Sequence, residues 1–325
     1  MANQQRTKIS LKYDQKQSVV ILAVICCLLW GTAFPILKIS YQELGLQPND
    51  IFSKMVFAGL RFLLAGMIVF IYYFIKNKKI PEMNKRSIMP FIIFGLLNTT
   101  IQYFFFYTGV ANTTAIKGVL LDTSKPLIVV IIAHFIYKND RINLNKALGI
   151  ILGFTGIILV NMSKIGGGGL ALNFSVYGEG FLIISSIASA FAVIYGKKIS
   201  KIYDPTVMNC YQFLFGSVVL LGVGLIAKGG FHLKFNALAL VLLIFSALVS
   251  AIAFVIWYNL LKHNKATTVT IYIFLIPIFG TMISSIVLPN EILNINIIIS
   301  LVLSATGIYL VNKNSKEVLN FENDI

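Results

Sequence analysis

The chain has 325 residues, of which 57% are hydrophobic and only 12% charged, with a mean hydropathy of +0.83. A soluble domain carries about 25% charged residues, so these proportions exclude an ordinary soluble fold and predict a chain that lies mostly in lipid. The formal net charge of +15 does not indicate nucleic acid, because the basic residues sit in short loops between apolar runs and form no stripe on a folded surface.

A membrane-crossing helix needs about 20 mostly apolar residues, and ten segments qualify. In the first half they are 18–38, 51–75, 88–110, 113–137 and 144–162, the third and fourth separated only by the ANTT of 111–114. In the second half they are 178–198, 207–227, 237–261, 267–288 and 293–311. The organisation expected is a polar tail over 1–17, a five-helix unit over 18–162, a glycine-rich external linker over 163–177, a second unit over 178–312 and a tail over 313–325. Arg6, Lys8, Lys12, Lys16, Lys76, Lys78, Lys79, Lys85, Arg86, Lys138, Arg141, Lys146, Lys197, Lys198, Lys201, Lys262, Lys265, Lys313 and Lys316 fall on one side of this scheme. The positive-inside rule assigns that side, with both termini, to the cytoplasm.

Shifted by 151 residues, the stretch from Ala115 to Asn161 aligns without a gap on Ala266 to Asn312. Pro126 falls on Pro277, Asp140 on Glu291, Tyr107 on Tyr258, and TGIILVN meets TGIYLVN. Five spans is an odd number, so the second unit enters the membrane upside down. The fold class expected is therefore an all-α integral membrane protein of ten helices in two inverted repeats, an architecture of alternating-access carriers. Gly149, Gly153 and Gly156 face Ser300, Ser304 and Gly307 in this scheme, small residues that let helices approach closely.

Charges inside apolar spans are costly and mark functional positions. Lys117, Asp122 and Lys125 share one side of the fourth span at roughly 100° per residue. Lys117 is near enough to the outer interface to snorkel, whereas Asp122 is too short to escape. Arg61 lies at a similar depth in the second span. Two readings stand: an Arg61–Asp122 or Lys125–Asp122 pair that locks helices, or a binding site open to a carboxylate or another anion. Asn98 and Gln102 share a face one turn apart and are hydrogen-bonding candidates. Trp30, Tyr107, Trp257 and Tyr258 are candidate lining residues, and Pro126, Pro277 and Pro35 candidate hinges. His134 and His263 are read as interface residues, and Glu179 as a residue of the outer mouth. The three cysteines, Cys26, Cys27 and Cys210, are read as packing residues, with no disulfide framework and no metal site. HExxH, GxSxG, CxxC and Walker patterns are absent, so neither an enzyme nor a cofactor is expected.

LLWGTAFPILK in the first span, GLRFLLAG in the second, ALGIILGFTGIILVN closing the first half, and the paired Pro126/Asp140 and Pro277/Glu291 resemble the drug/metabolite transporter superfamily, in its EamA-type branch. The resemblance runs from Ser18 to Asn312. It implies a ten-helix inverted-repeat bundle in a bacterial plasma membrane that moves amino acids or related metabolites, often outward. Lys117, Asp122 and Lys125 depart from the small or apolar residues usual there. The expectation is a secondary carrier for a small polar molecule, its partners being that solute, the bilayer and protons as coupling ion. Uptake or exchange of another organic anion or drug-like compound is the alternative within transport, and a scaffold or sensor without flux the alternative outside it.

Overall fold

The computed structural model describes residues 15–47, 49–112, 124–138, 140–162, 175–287 and 295–313, with Tyr13 and Leu121 beside them. Among these residues the fold is all helical: α1 Lys16–Glu43, α2 Ile51–Asn77, α3 Lys85–Gly95, α4 Gln102–Ala111, α5 Lys125–Ile136 and α6 Leu144–Met162. The second part holds α7 Phe181–Ser200, α8 Pro205–Lys228, α9 Ala237–His263, α10 Ala266–Thr270, α11 Leu275–Val287 and α12 Ile295–Lys313. A π-helical segment, Leu96–Ile101, joins α3 to α4, another, Val176–Gly180, leads into α7, and a 3-10 turn, Ile271–Phe274, joins α10 to α11. Followed through their π and 3-10 segments, seven helical runs among the described residues, including Lys85–Gly109, Val176–Ser200 and Ala266–Val287, are long and apolar enough to cross a membrane, and Lys125–Ile136, Leu144–Gly156 and Val302–Val311 are shorter apolar helices. Phe135, Ile226 and Ile286 are each about four-fifths exposed, as suits side chains that face lipid.

The loops carry the signals that start and stop these helices. Asp50 caps α2 by accepting from the Ser53 amide, Asp204 caps α8 ahead of Pro205, and Asn236 caps α9 through the Ala239 amide. Each side-chain oxygen satisfies an amide that the first helical turn leaves without a partner. Asn84 and Ser87 form a reciprocal capping box at the start of α3.

The main packing pairs are α2 with α8 and α6 with α12, while α1 lies against α9 and α11, and α7 against α4 and α5. The α6–α12 seam is the small-residue seam expected from sequence. A Cβ on Gly149 would stand 2.5 Å from the Gly307 carbonyl oxygen, and one on Gly307 would meet the Gly149 carbonyl. Gly149→Ala should therefore cost about 1–3 kcal/mol by overpacking, read as a lower melting temperature in detergent; an unchanged melting point would show that the seam can part freely.

At the α2–α8 seam, Phe62 and Phe213, 151 residues apart, stack at 5.6 Å and 19°. Beside them the Arg61 Nε donates to Ser250 Oγ at 3.0 Å, and Thr99 Oγ1 donates to Gln212 Oε1 at 2.8 Å. The same shift of 151 carries Arg61 onto Gln212 and Thr99 onto Ser250. The two contacts are thus counterparts of one another.

The cysteines are buried and unpaired as disulfides. Each thiol meets a backbone carbonyl on another helix, of Ala253, Tyr272 and Gly66 respectively. His134 Nδ1 accepts from the Ile142 amide at 3.0 Å, and His263 stacks on Tyr13.

The prolines differ from expectation in detail. Pro126 sits at the very start of α5 rather than kinking a continuous span, where its missing N–H costs nothing. Lys125 is accordingly the first residue of a helix and not a mid-helix residue; Ser124, just before it, turns back on the Leu121 carbonyl through its amide and hydroxyl. Pro277 is the third residue of α11, just past the 3-10 turn Ile271–Phe274. Pro35, by contrast, lies inside the unbroken α1. Lys117, Asp122 and Glu291 lie outside the described residues, as does the ANTT connection beyond Asn112.

Candidate functional site

Both helix breaks border one cavity, whose empty space is about 830 Å³ with its open mouth included. Residues of α1, α2, the Leu96–Ile101 segment, α4 and α5 line one side, and residues of α7, α9, the 3-10 turn and α11 the other. Seven of the sequence candidates meet there: Trp30, Arg61, Asn98, Gln102, Lys125, Trp257 and Tyr258. Tyr107 does not line the cavity; it is buried behind Tyr103, whose ring is 5.9 Å away. Sequence reasoning missed Ser189 and Phe254, and of the aromatic run 103–107 it chose Tyr107, whereas Tyr103 and Phe106 are the members on the wall. The repeat could have found one of these, since the shift that places Tyr107 on Tyr258 also places Phe106 on Trp257.

The walls are aromatic. Trp30 meets Phe254 at 5.2 Å and Trp257 at 5.0 Å, both edge to face. Phe254 stacks on Tyr258 at 6.4 Å, and Tyr258 meets Phe94 edge-on at 4.9 Å. Edge-to-face rings hold one another in place, which gives the cavity a firm shape. Gly196 makes room for this cluster: a Cβ there would run into the Tyr258 ring.

The cations are placed by different means. Arg61 is 2% exposed, and its Nε donates to the Ser246 carbonyl at 3.2 Å as well as to Ser250 Oγ. Those bonds come from α9 and hold Arg61 at the cavity wall, where it also interacts with the Tyr107 side chain. Lys125 enters at the head of α5, with its ammonium 5.7 Å from the Phe106 ring centre. No carboxylate lines the cavity among the described residues. The Arg61–Asp122 and Lys125–Asp122 pairs considered from sequence lie outside those residues.

The π-helical segment Leu96–Ile101 faces the same space. One extra residue per turn re-aims side chains, and such segments recur at functional sites. Asn98 Nδ2 donates to Gln212 Oε1 at 3.3 Å, and its Oδ1 accepts from the Tyr258 hydroxyl at 3.0 Å. Gln212 Nε2 continues to Asn209 Oδ1 at 3.3 Å, and Asn209 donates to the Pro205 carbonyl at 2.7 Å. This buried chain holds the Asn98 amide in one orientation. Its members Gln212 and Asn209 were missed by sequence reasoning, although two amides within one apolar span were a usable signal. Gln102 differs: its backbone carbonyl accepts from Ser185 Oγ, but its Oε1, like Trp30 Nε1, is buried without a hydrogen-bond partner among the described residues.

This constellation contains no activated nucleophile and no metal-ligand cluster among the described residues. It can hold a small molecule with an anionic group toward Arg61 and an apolar or cationic part on the rings.

The sequence matches the EamA-like transporter family model twice, over residues 17–162 and 176–313. An uncharacterized transporter of Bacillus subtilis, YvbV, is 26% identical over 308 residues, covering 94% of this chain and 95% of its own length. An uncharacterized transporter of Archaeoglobus fulgidus is 27% identical over 295 residues, covering 89% and 96%. A WAT1-related chloroplastic protein of Arabidopsis thaliana is 23% identical over 290 residues, 87% of this chain and 66% of its length. A solved crystal structure superposes over 94% of this chain and 100% of its own with a TM-score of 0.73 at 13% identity, a likeness of fold alone.

Proposed function

This chain belongs to the EamA-like transporter family, and from that premise we propose that it is a non-enzymatic secondary carrier moving a small polar metabolite by alternating access. Amino acids and related compounds are the substrates proposed, outward the direction, protons the coupling ion and the plasma membrane the location. The carrying observation is the mid-span cavity between the two family-matching halves, with Arg61 and Lys125 on aromatic walls. An α-amino acid fits such a site through its carboxylate at the guanidinium and its ammonium and side chain against the rings. The cationic lining favours, as a second reading, another organic anion.

The proposed architecture is ten helices in two inverted repeats over 18–162 and 178–312, with tails over 1–17 and 313–325 on the cytoplasmic side and the 163–177 linker outside. Three observations support the repeat: the doubled family match, the Phe62–Phe213 stack and the paired Arg61–Ser250 and Thr99–Gln212 contacts. A residue pair that stacks on its own counterpart is what a two-fold axis between the halves produces. The helix breaks before Pro126 and Pro277 are the proposed hinges, since backbone groups freed in mid-membrane are tolerated where they line a cavity.

Purified protein in liposomes, offered a panel of labelled amino acids and organic anions, tests the reading. Saturable uptake of an amino acid is the expected result, uptake of anions alone supports the second reading, and no flux of any compound would favour a scaffold or sensor. For orientation, single cysteines in a Cys-free background should react with an impermeant thiol reagent outside intact cells at Phe231 but not at Glu82 or Asn143. The reverse pattern would place both termini outside.

A further inference from the structure

From the lining residues outward toward Asp140, a succession of contacts ties the two halves together. Next to the lining residue Val193, the Ile194 carbonyl accepts from the Tyr137 hydroxyl at 3.3 Å. Next to the lining residue Ile273, the Tyr272 carbonyl accepts from Cys27 Sγ at 3.1 Å. One level further out, the Lys197 ammonium lies 5.3 Å over the Tyr137 ring and donates to the Asn264 carbonyl. The last layer is Asp140, which is 1% exposed. Its Oδ1 accepts from Thr267 Oγ1 at 2.7 Å and its Oδ2 from the Thr267 amide at 3.1 Å. Asp140 belongs to the first family-matching half and Thr267 to the second.

The opposite end is held differently. There the halves meet through Asp50 and Lys228 at 2.9 Å and through Asn236 and Glu43 at 2.7 Å, all partly or fully exposed. Exposed pairs of this kind contribute little. That end also packs through apolar side chains, with Phe57 stacked on Phe235 across the halves. Among the described residues, only the other end joins the halves through a buried carboxylate, Asp140.

Asp140 is also equipped to let go. Lys146, six positions later in the same half, lies 2.6 Å from its Oδ1 and additionally donates to the Arg141 carbonyl. The carboxylate therefore keeps its counter-charge when Thr267 departs. A buried carboxylate held by the other half alone would be stranded as a bare charge on separation, at large cost. Here separation gives up only two hydrogen bonds, which water can replace.

We propose that Asp140 is a releasable lock: bonded to Thr267 it seals the cavity from this face, and it parts from Thr267 once in each transport cycle while retaining Lys146. The proposal rests on the carrier reading, under which this face is the cytoplasmic one. It assigns Asp140 a gating role that requires no contact with the solute.

The test uses the full chain with Cys26→Ala, Cys27→Ser, Cys210→Ala and a reporter, Ile276→Cys, in the cavity wall. Labelling by an impermeant maleimide is timed from each face in sealed right-side-out and inverted vesicles. Asp140→Asn and Thr267→Val should each raise labelling from the Asp140 face by about tenfold and lower it from the other, since bonds to a charged group favour the sealed state by at least that factor. Thr267→Val leaves the Asp140–Lys146 pair intact and so guards against a mere folding defect. Folded variants with unchanged labelling from both faces would overturn the lock. So would loss of folded protein in both variants, which would make Asp140 structural. Failure of the carrier reading is recorded separately, as absence of flux in the reporter protein without lock substitutions.

Discussion

Replacing Arg61 by Gln should lower the apparent affinity for an anionic or zwitterionic substrate by about tenfold to a hundredfold, the worth of one or two charge-assisted hydrogen bonds. The protein should still fold, because a glutamine amide can replace Nε as donor toward the Ser246 carbonyl and Ser250 Oγ on α9. Arg61→Lys should be intermediate: it keeps the charge but cannot hold α9 with one nitrogen while presenting others to a carboxylate. Concentration-dependent uptake into proteoliposomes, with melting temperature as the folding control, checks this. A well-folded Arg61→Gln protein with unaltered uptake would remove Arg61 from the site and leave it a helix clamp.

The largest effect on stability outside the seal is expected from Gln212→Leu. Gln212 accepts from Asn98 Nδ2 and Thr99 Oγ1 and donates to Asn209 Oδ1. Leucine is nearly the same size but strands all three groups in a dry interior. Each stranded group costs about 1–3 kcal/mol, whereas interhelical hydrogen bonds in bilayers average only about 0.6 kcal/mol, so the loss comes from the orphans more than from the bonds. Adding Thr99→Val should recover part of the loss by removing one orphan. Asn98 would also lose its fixed orientation, so substrate affinity should fall along with the melting temperature. If Gln212→Leu melts with the wild type, the network is slack and Asn98 is not held by it.

How much of this could be read in the chain follows from what each residue type costs in lipid. Low charge content and long apolar runs define membrane helices almost by themselves, because an unpaired backbone group in hydrocarbon has no solvent to turn to. Arg61, Lys125, Asn98 and Gln102 stood out for the same reason: a polar side chain at that depth needs a partner or a cavity, and the structure puts all four on one cavity. Gly149 and Gly307 were legible as a close seam because small residues are what such a seam requires.

Other features were set only by the three-dimensional arrangement. Tyr107 and Tyr258 are counterparts in sequence, yet Tyr258 reaches the cavity and Tyr107 is held behind Tyr103; hydropathy cannot tell a wall from the layer behind it. The π-helical segment Leu96–Ile101 carries no sequence mark that differs from ordinary helix, and it is what brings Asn98 toward Gln212. Pro126 announced a break but not its form: a proline is as compatible with a kink as with a fresh helix start, and the start is what places Lys125 at a helix head. Asp140 shows the same limit most clearly. From sequence it was an acidic residue in a loop, paired by repetition with Glu291. That its carboxylate would be buried against Thr267, 127 positions away, depends on which helices the tertiary fold brings together. Hydropathy determines which segments enter the membrane; packing between the halves decides which of their polar groups meet.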